Sequence, residues 1–397
     1  MKVILSVDLV TPPITGIGRY ALELASNLSQ LPGNIDLRYF YFGRWISQQQ
    51  LDSLAQPGSG IQSARKSWRS RLATNRTAVY AYSKLMPRWS GLQLRHEHDA
   101  VFHSPNYFLP PFPGRSIATV HDLSHIWFPK FHPTARLELL ERELPRTLER
   151  ADFLITDAES VRKEIITHFG WPKDKITAIP LGVDPCYHPR TDTELFAPLS
   201  QWGLSPGGYS LYVGTIEPRK NLIRLITAYE MLPEKLRRQW PLVLAGSRGW
   251  QSDDIHHKMN KAANAGWLLY LDYVPQSDLP ALYAGARLFA FPSLYEGFGL
   301  PPLEAMASGV PVITSKTSSL PEVVGNAAIT IQPEDTQAIN AALHQGLEDE
   351  AWREKSIRAG LVRAAQLTWQ ICAFRTYQIY ACTSKSAVIS KELSEDI

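Results

Sequence analysis

FPSLYEGFGLPPLEAMASGVPVITS, residues 291–315, changes character every few residues, and each change has a physical reading. An apolar run ends at Pro292 and a glycine-rich turn, Gly297-Phe298-Gly299, follows. Pro301 and Pro302 then stand where proline suits the first turn of a helix, because that turn has no use for their missing N–H groups. Gly309 ends the short helix, and Val310 to Thr314 return as a strand. Strand, glycine turn and helix start together put free backbone amides at the carboxyl edge of a parallel sheet, where open α/β sheets bind ligands and anions. Two carboxylates flank the turn eight positions apart, Glu296 before it and Glu304 in what reads as the first helical turn. Each alone is explained as a loop cap or as an acid favoured at a helix N-terminus. Together with the glycines and prolines they can face one crevice.

The same alternation extends outward in both directions. Short runs rich in Val, Ile, Leu, Phe and Tyr alternate with stretches of helical period, the pattern of parallel sheets with crossover helices. Strands are predicted near 2–9, 36–42, 99–104, 115–121, 152–156 and 176–181, with helices near 17–29, 135–149 and 159–168. After the turn-rich segment 186–208 the series restarts, with strands near 209–214, 241–246, 268–274, 287–292, 311–314 and 328–332. Helices are predicted there near 221–231, 278–285, 302–308, 335–347 and 351–366. One open sheet of about twelve strands is unusual, so two α/β domains are expected, 1–190 and 200–366, with a cleft between them as the default ligand site.

Bulk properties agree with a soluble multidomain protein. The 397 residues are 44% hydrophobic and 20% charged, with a net charge of +3, which excludes a small binding module and a disordered chain. Cys186, Cys372 and Cys382 have neither disulfide-framework nor zinc-site spacing, so a reducing cytoplasm is the expected location. MKVILSVDLV is interrupted by Asp8 and lacks a cleavage site, and reads as a first strand rather than a signal peptide. No run of 18 apolar residues is present to span a membrane.

The passage 291–315 resembles the E-x7-E signature of retaining GT-B glycosyltransferases, family 4 in particular, and the resemblance runs to about residue 380. It implies two Rossmann-like doubly wound domains facing across a cleft, with a C-terminal helix, 367–385, crossing back to the first domain. It implies that Glu296 lies by the donor sugar, that Glu304 bonds the nucleotide ribose, and that the Gly297, Phe298, Gly299 and Leu300 backbone meets the sugar and diphosphate. YVGTIEPRKNL (212–222) adds a strand, a turn that includes Gly214, and a helix start with Arg219 and Lys220 placed to grip phosphate oxygens. Many relatives carry Arg directly after that glycine, where Thr215 stands here, so Arg219 is expected to supply the charge. LDYVPQSDLPALYAGA (271–286) is similar to the stretch that shapes the nucleobase pocket, with backbone near Tyr273 and Val274 facing the base. AGSRGW (245–250) lies beside the nucleotide in the same reading or is a plain strand-to-helix loop.

In the first domain, Gly16-Ile17-Gly18 with Ala21 satisfies G-x-G-x-x-A, but TPPIT separates it from the strand and Asp36 begins, rather than ends, the second strand. A dinucleotide fingerprint is therefore not supported. The family resemblance places this loop near the donor phosphates and the acceptor. TVHDLSHIWFP (119–129) puts His121 and Asp122 just after a strand, and the resemblance gives His121 a contact with the donor sugar. His103 reads equally as an acceptor-site residue or a satisfied structural histidine. Cations and helix ends replace a metal in such enzymes, so neither metal nor cofactor is expected beyond the nucleotide-sugar co-substrate.

Between Asp52 and Glu97 no acid occurs, while Arg65, Lys66, Arg69, Arg71, Arg76, Lys84, Arg88 and Arg95 interleave with Trp68, Tyr80, Tyr82 and Trp89. An anionic membrane surface on the inner face of the cytoplasmic membrane, or a lipid diphosphate, suits the stretch 65–95. Nucleic acid and a merely solvated face are the other readings, and no nucleic-acid partner is expected. The wording EPRKN and EGFGLPPLEA resembles mannosyl- and rhamnosyl-transferring members of bacterial surface polysaccharide synthesis, which implies a GDP-sugar donor and a saccharide or lipid-linked saccharide acceptor. A UDP-sugar donor, a GT-B epimerase, a nicotinamide-dependent oxidoreductase and a non-catalytic relative are the alternatives.

Overall fold

The computed structural model describes residues 1–11, 14–32, 35–55 and 86–395, with side chains to residue 384. The chain divides into two compact units. Unit 1 comprises Met1–Leu123, Pro133–Leu181 and Trp369–Ile397, and unit 2 comprises Ser124–His132 and Gly182–Thr368.

Unit 1 holds seven strands, β1 (Lys2–Ser6), β2 (Asp36–Tyr41), β3 (Arg44–Ile46), β4 (Ala100–Ser104), β5 (Arg115–Val120), β6 (Phe153–Thr156) and β7 (Ile176–Ala178). Their order is β3-β2-β1-β4-β5-β6-β7, all parallel except the β2–β3 edge pair. The direction of winding reverses between β1 and β4, which makes their carboxyl ends the topological switch point of this sheet. Val3, Ile4 and Leu5 of β1 are fully buried, as expected for a strand covered on both faces. The C-terminal helix Trp369–Glu395 packs on the helix Gly16–Ser29. His103 of β4 is fully buried between the Tyr380 hydroxyl, 2.6 Å away, and Thr119 Oγ1, 2.8 Å away. Both ring nitrogens are thus consumed in fastening that helix to the sheet, which selects the structural reading of His103.

Unit 2 contributes β8 (Ser210–Val213), β9 (Leu242–Ala245), β10 (Leu268–Asp272), β11 (Leu288–Phe291), β12 (Val312–Ser315) and β13 (Ile329–Ile331), all parallel in the order β10-β9-β8-β11-β12-β13. The reversal lies between β8 and β11, so the segments leaving these two strands are neighbours. A further pairing ties the β8 and β9 exits: Ile216 bridges Arg248, and Gly214 accepts the close approach of Gly246. A Cβ on Gly246, where φ is +147°, would stand 2.0 Å from the Gly214 carbonyl oxygen. Close backbone packing accounts for the glycines of AGSRGW, whatever else that loop does.

Several boundaries differ from the sequence expectations. The glycines Gly16 and Gly18 do not form a loop before the first helix but its first turn, capped by Thr15, whose Oγ1 accepts from the Gly18 amide at 3.4 Å. Glu304 is the fifth residue of the helix Leu300–Ala307 rather than part of its first turn, because Gly299, at φ +112°, serves as N-cap and lets the helix begin at Leu300. The segment 186–208 contains a helix, Asp192–Ser200, with a full capping box between Thr191 and Glu194. Asp253–Asn264 is a further helix outside the expected ones, as are Gln48–Ala55, Glu234–Gln239 and Leu320–Val324, and the final helix spans Trp369–Glu395 rather than 367–385.

Candidate active site

The switch point of unit 2 gathers four charges. Leaving β8, the chain makes one 3-10 turn, Pro218–Lys220, and Asn221 then adopts φ +61° to start the helix Leu222–Glu230. Leaving β11, it runs through Pro292 to Glu296. Asn221 Nδ2 donates to the carbonyls of Pro292 at 3.0 Å and Pro333 at 2.7 Å, and the Leu294 amide donates to the Arg219 carbonyl at 2.9 Å. The two segments are thereby locked together before any ligand is considered.

Within this frame Lys220 Nζ donates to Glu296 Oε1 at 2.6 Å and Arg219 Nη1 donates to Glu296 Oε2 at 3.0 Å. Arg219 also reaches the Tyr295 carbonyl at 2.7 Å and Glu217 Oε1 at 2.8 Å. Glu217, Lys220 and Glu296 are all buried. Burial opposes the charge on Glu296, but Lys220 and Arg219 outweigh it and hold the carboxyl below its ordinary range. Burial and then Arg219 push the Lys220 ammonium down, against the pull of Glu296. Two cations and two carboxylates leave the cluster formally neutral, with Glu296 fixing both cationic heads in place. Arg219 and Lys220, expected as hands open to phosphate, are thus engaged with carboxylates in this structure.

Glu304 is partly exposed and lies beside the buried Tyr283 hydroxyl, whose pKa burial and the Glu304 charge push far up. The glycine turn is shaped from below by Ser319, whose hydroxyl lies 2.9 Å from the Glu296 carbonyl and 2.6 Å from that of Phe298, while Ser318 Oγ accepts the Glu296 amide at 3.0 Å. Phe298 itself is buried. Tyr273 and Val274 follow β10, the first 56% exposed and the second buried. Gly214, at φ +152°, ends β8.

In unit 1, His121 follows β5 and is 6% exposed. Its Nδ1 lies 2.6 Å from Asp157 Oδ2, and its Nε2 lies 3.1 Å from the Pro105 carbonyl oxygen. Tyr20 meets the ring edge-on. The ring is therefore held by protein groups on both sides, and a side-chain contact with a donor sugar requires exchange of the Pro105 bond. Gly18 has a steric duty of its own, since a Cβ there would lie 2.5 Å from the Leu9 carbonyl, whereas Gly16 borders open space. Most of the basic stretch 65–95 lies outside the described residues; of the remainder, Arg88, Trp89, Leu92 and Arg95 are exposed. A cavity of about 420 Å³ lined by Ser29, Arg38, Trp45 and Gln48 includes none of the candidate residues.

Sequence reasoning overlooked Glu217, Asn221 and Asp157. Glu217 and Asn221 stand inside the quoted EPRKN, where a carboxylate beside two cations was a legible signal. Asp157 follows β6 at the same sheet edge as His121, and only the strand order shows that the two meet.

Two parallel Rossmann-like sheets, each with its switch point at the carboxyl edge, define the GT-B class of fold. Solved structures agree: the Anabaena HepE protein in complex with UDP and glucose has a TM-score of 0.70 at 16% identity, covering 96% of this chain and 100% of that one. WaaG, described as a glycosyltransferase involved in lipopolysaccharide biosynthesis, has a TM-score of 0.68 at 16% identity, covering 96% and 99%. The family model Glycosyltransferase Family 4 matches residues 14–186, and Glycosyl transferases group 1 matches 205–363. An Escherichia coli relative, O-antigen chain mannosyltransferase B, is 39% identical over 380 residues, 96% of this chain and 99% of its own length. The chain belongs to the family 4 glycosyltransferases. Among the described residues no helix is long and apolar enough to cross a membrane.

Proposed function

We propose that the chain transfers a hexose, mannose or a related deoxyhexose, from a nucleoside-diphosphate sugar to a saccharide or lipid-linked saccharide acceptor in surface polysaccharide synthesis. The observation that carries this reading is the convergence of Arg219, Lys220 and Glu296 at the switch point of unit 2, in a chain whose full-length relative is named for mannosyl transfer to O-antigen. A GDP-linked donor suits the mannosyl relative; a UDP-linked donor is favoured instead by the UDP-containing complex of the HepE neighbour.

In this reading Arg219 and Lys220 stabilise the departing diphosphate, a task in which donors fixed beforehand in a dry site are worth most. A diphosphate brings negative charge that competes with Glu296 for both cations, releasing the Glu296 carboxylate toward the sugar. Glu304 takes the ribose hydroxyls, the backbone of Gly297, Phe298, Gly299 and Leu300 meets the sugar and diphosphate, and Gly214, Tyr273 and Val274 border the nucleotide. The family resemblance further assigns Gly16 and Gly18 to the donor phosphates and the acceptor, and His121 to the donor sugar. The diphosphate accepts the acceptor proton on the same face of the sugar, giving retention without a protein base or a metal. The exposed Arg88, Trp89, Leu92 and Arg95 support contact of the 65–95 stretch with an anionic membrane.

The test is a thermal-shift panel of GDP-, UDP-, ADP- and dTDP-sugars, followed by NMR of the product made from whichever donor binds. A raised midpoint with one nucleotide class and an anomeric configuration matching that of the donor are expected. Failure of every activated sugar to bind overturns the reading.

A further inference from the structure

The surroundings of His121 dictate its protonation state. Nε2 faces an atom that only accepts, the peptide oxygen of Pro105, and Nδ1 faces a carboxyl oxygen of Asp157, which accepts while ionised; burial pushes that carboxyl up and the pull of His121 opposes it. A neutral imidazole has a single N–H and would leave one of these acceptors facing a lone pair. With Asp157 ionised, two acceptors require two N–H bonds, the imidazolium. Its charge is balanced by Asp157, which is itself 3% exposed and makes its ion pair with no cation other than His121 among the described residues.

We propose that Asp157 is a positioning residue that keeps His121 as a buried imidazolium at the carboxyl edge of the unit 1 sheet, and that this cation is the form in which His121 serves the transfer reaction. The inference rests on the proposed transferase reading for its second half only. Asp157 fixes the ring plane through Nδ1, leaving the Nε2–H bond, parked on Pro105, as the one that can be redirected to an anionic oxygen of the donor. The other titratable groups packed around the ring are Asp122, adjacent in sequence, Tyr20 from the helix Gly16–Ser29, Tyr107 and His103 from β4 and the segment after it, and Cys372 of the C-terminal helix beside Asp157. None of these offers a second cation: His103 is held neutral by burial, and the phenols and the thiol are pushed up by it. For His121, burial opposes the charge, yet Asp157 prevails and the pKa lies above the ordinary value.

The imidazolium is read directly by nitrogen-detected NMR of the histidine-labelled full-length protein, with His121→Gln identifying the signal among 11 histidines. At pH 7 both nitrogens of His121 are expected to be protonated, with release only above the ordinary histidine range. In Asp157→Asn the titration should move down by about 1–3 pH units, the usual reach of a close opposite charge, and the alkaline limb of kcat should move with it while KM for the donor changes less. Asp157→Glu should recover part of both shifts, which a purely structural defect would not. A neutral-imidazole signature in the wild-type protein at pH 7, or a kcat profile indifferent to Asp157→Asn, overturns the proposal. If the wild-type enzyme transfers no sugar from any donor, the functional reading falls, while the NMR titration still decides the imidazolium.

Discussion

Glu296 has two jobs that pull in different directions. It pairs with Arg219 and Lys220 in the resting protein, and in the proposed reaction it would give them up to the diphosphate. Removing it takes the carboxylate from the buried Lys220 and leaves Arg219 with Glu217 alone, so Glu296→Ala should cost about 3–5 kcal/mol of stability, as expected when one member of a buried ion pair is deleted; urea denaturation measures this. Lys220→Ala and Arg219→Ala are expected to lower turnover by about 10²-fold or more, the usual effect of losing one transition-state donor. Steady-state kinetics with the donor found in the binding panel would check it, and full activity in both variants would refute their assignment. His103 makes the fold sensitive to acid. Burial pushes its pKa down to about 3 from the ordinary 6.5, so between those values the unfolded chain binds a proton that the folded chain refuses. Stability therefore rises with pH across that window and is lost as pH falls through it. His103→Gln should flatten the slope of the melting temperature between pH 4 and 6.

Strands were the elements most visible in the sequence, because those buried on both faces are short continuous apolar runs. Twelve of the thirteen described strands had been expected near their observed positions, and β3 was missed because three residues returning after the tight turn at Phe42 and Gly43 carry no period of their own. Helices hidden in polar or proline-bearing stretches, Asp192–Ser200 and Asp253–Asn264, were less visible. The site divides the same way. Arg219, Lys220, Glu296 and Glu304 were legible as motifs, but their pairing was not, since it depends on β8 and β11 being neighbours despite lying far apart in the chain. Glycines mark where such loops touch. Gly246→Ala would drive a Cβ into the Gly214 carbonyl, and a loss of more than about 2 kcal/mol is expected from overpacking combined with a positive φ. A calorimetric melt that leaves the midpoint unchanged would show that the β8 and β9 exits are not held together as described.

Across the whole molecule, the two units differ in how they are assembled from the chain. Unit 2 is nearly continuous, whereas unit 1 is completed only by the helix that begins at Trp369. That helix supplies Trp369, Cys372, Ala373, Thr376 and Tyr380, all buried, and Tyr380 satisfies His103. Each of these residues is made after unit 2 has been made. On a translating ribosome the amino-terminal half must therefore wait, its sheet lacking one covering helix, while the later half has its own sheet in hand. Completion order is reversed relative to synthesis order, and a polypeptide released early would carry an apolar face on which chaperones and proteases act.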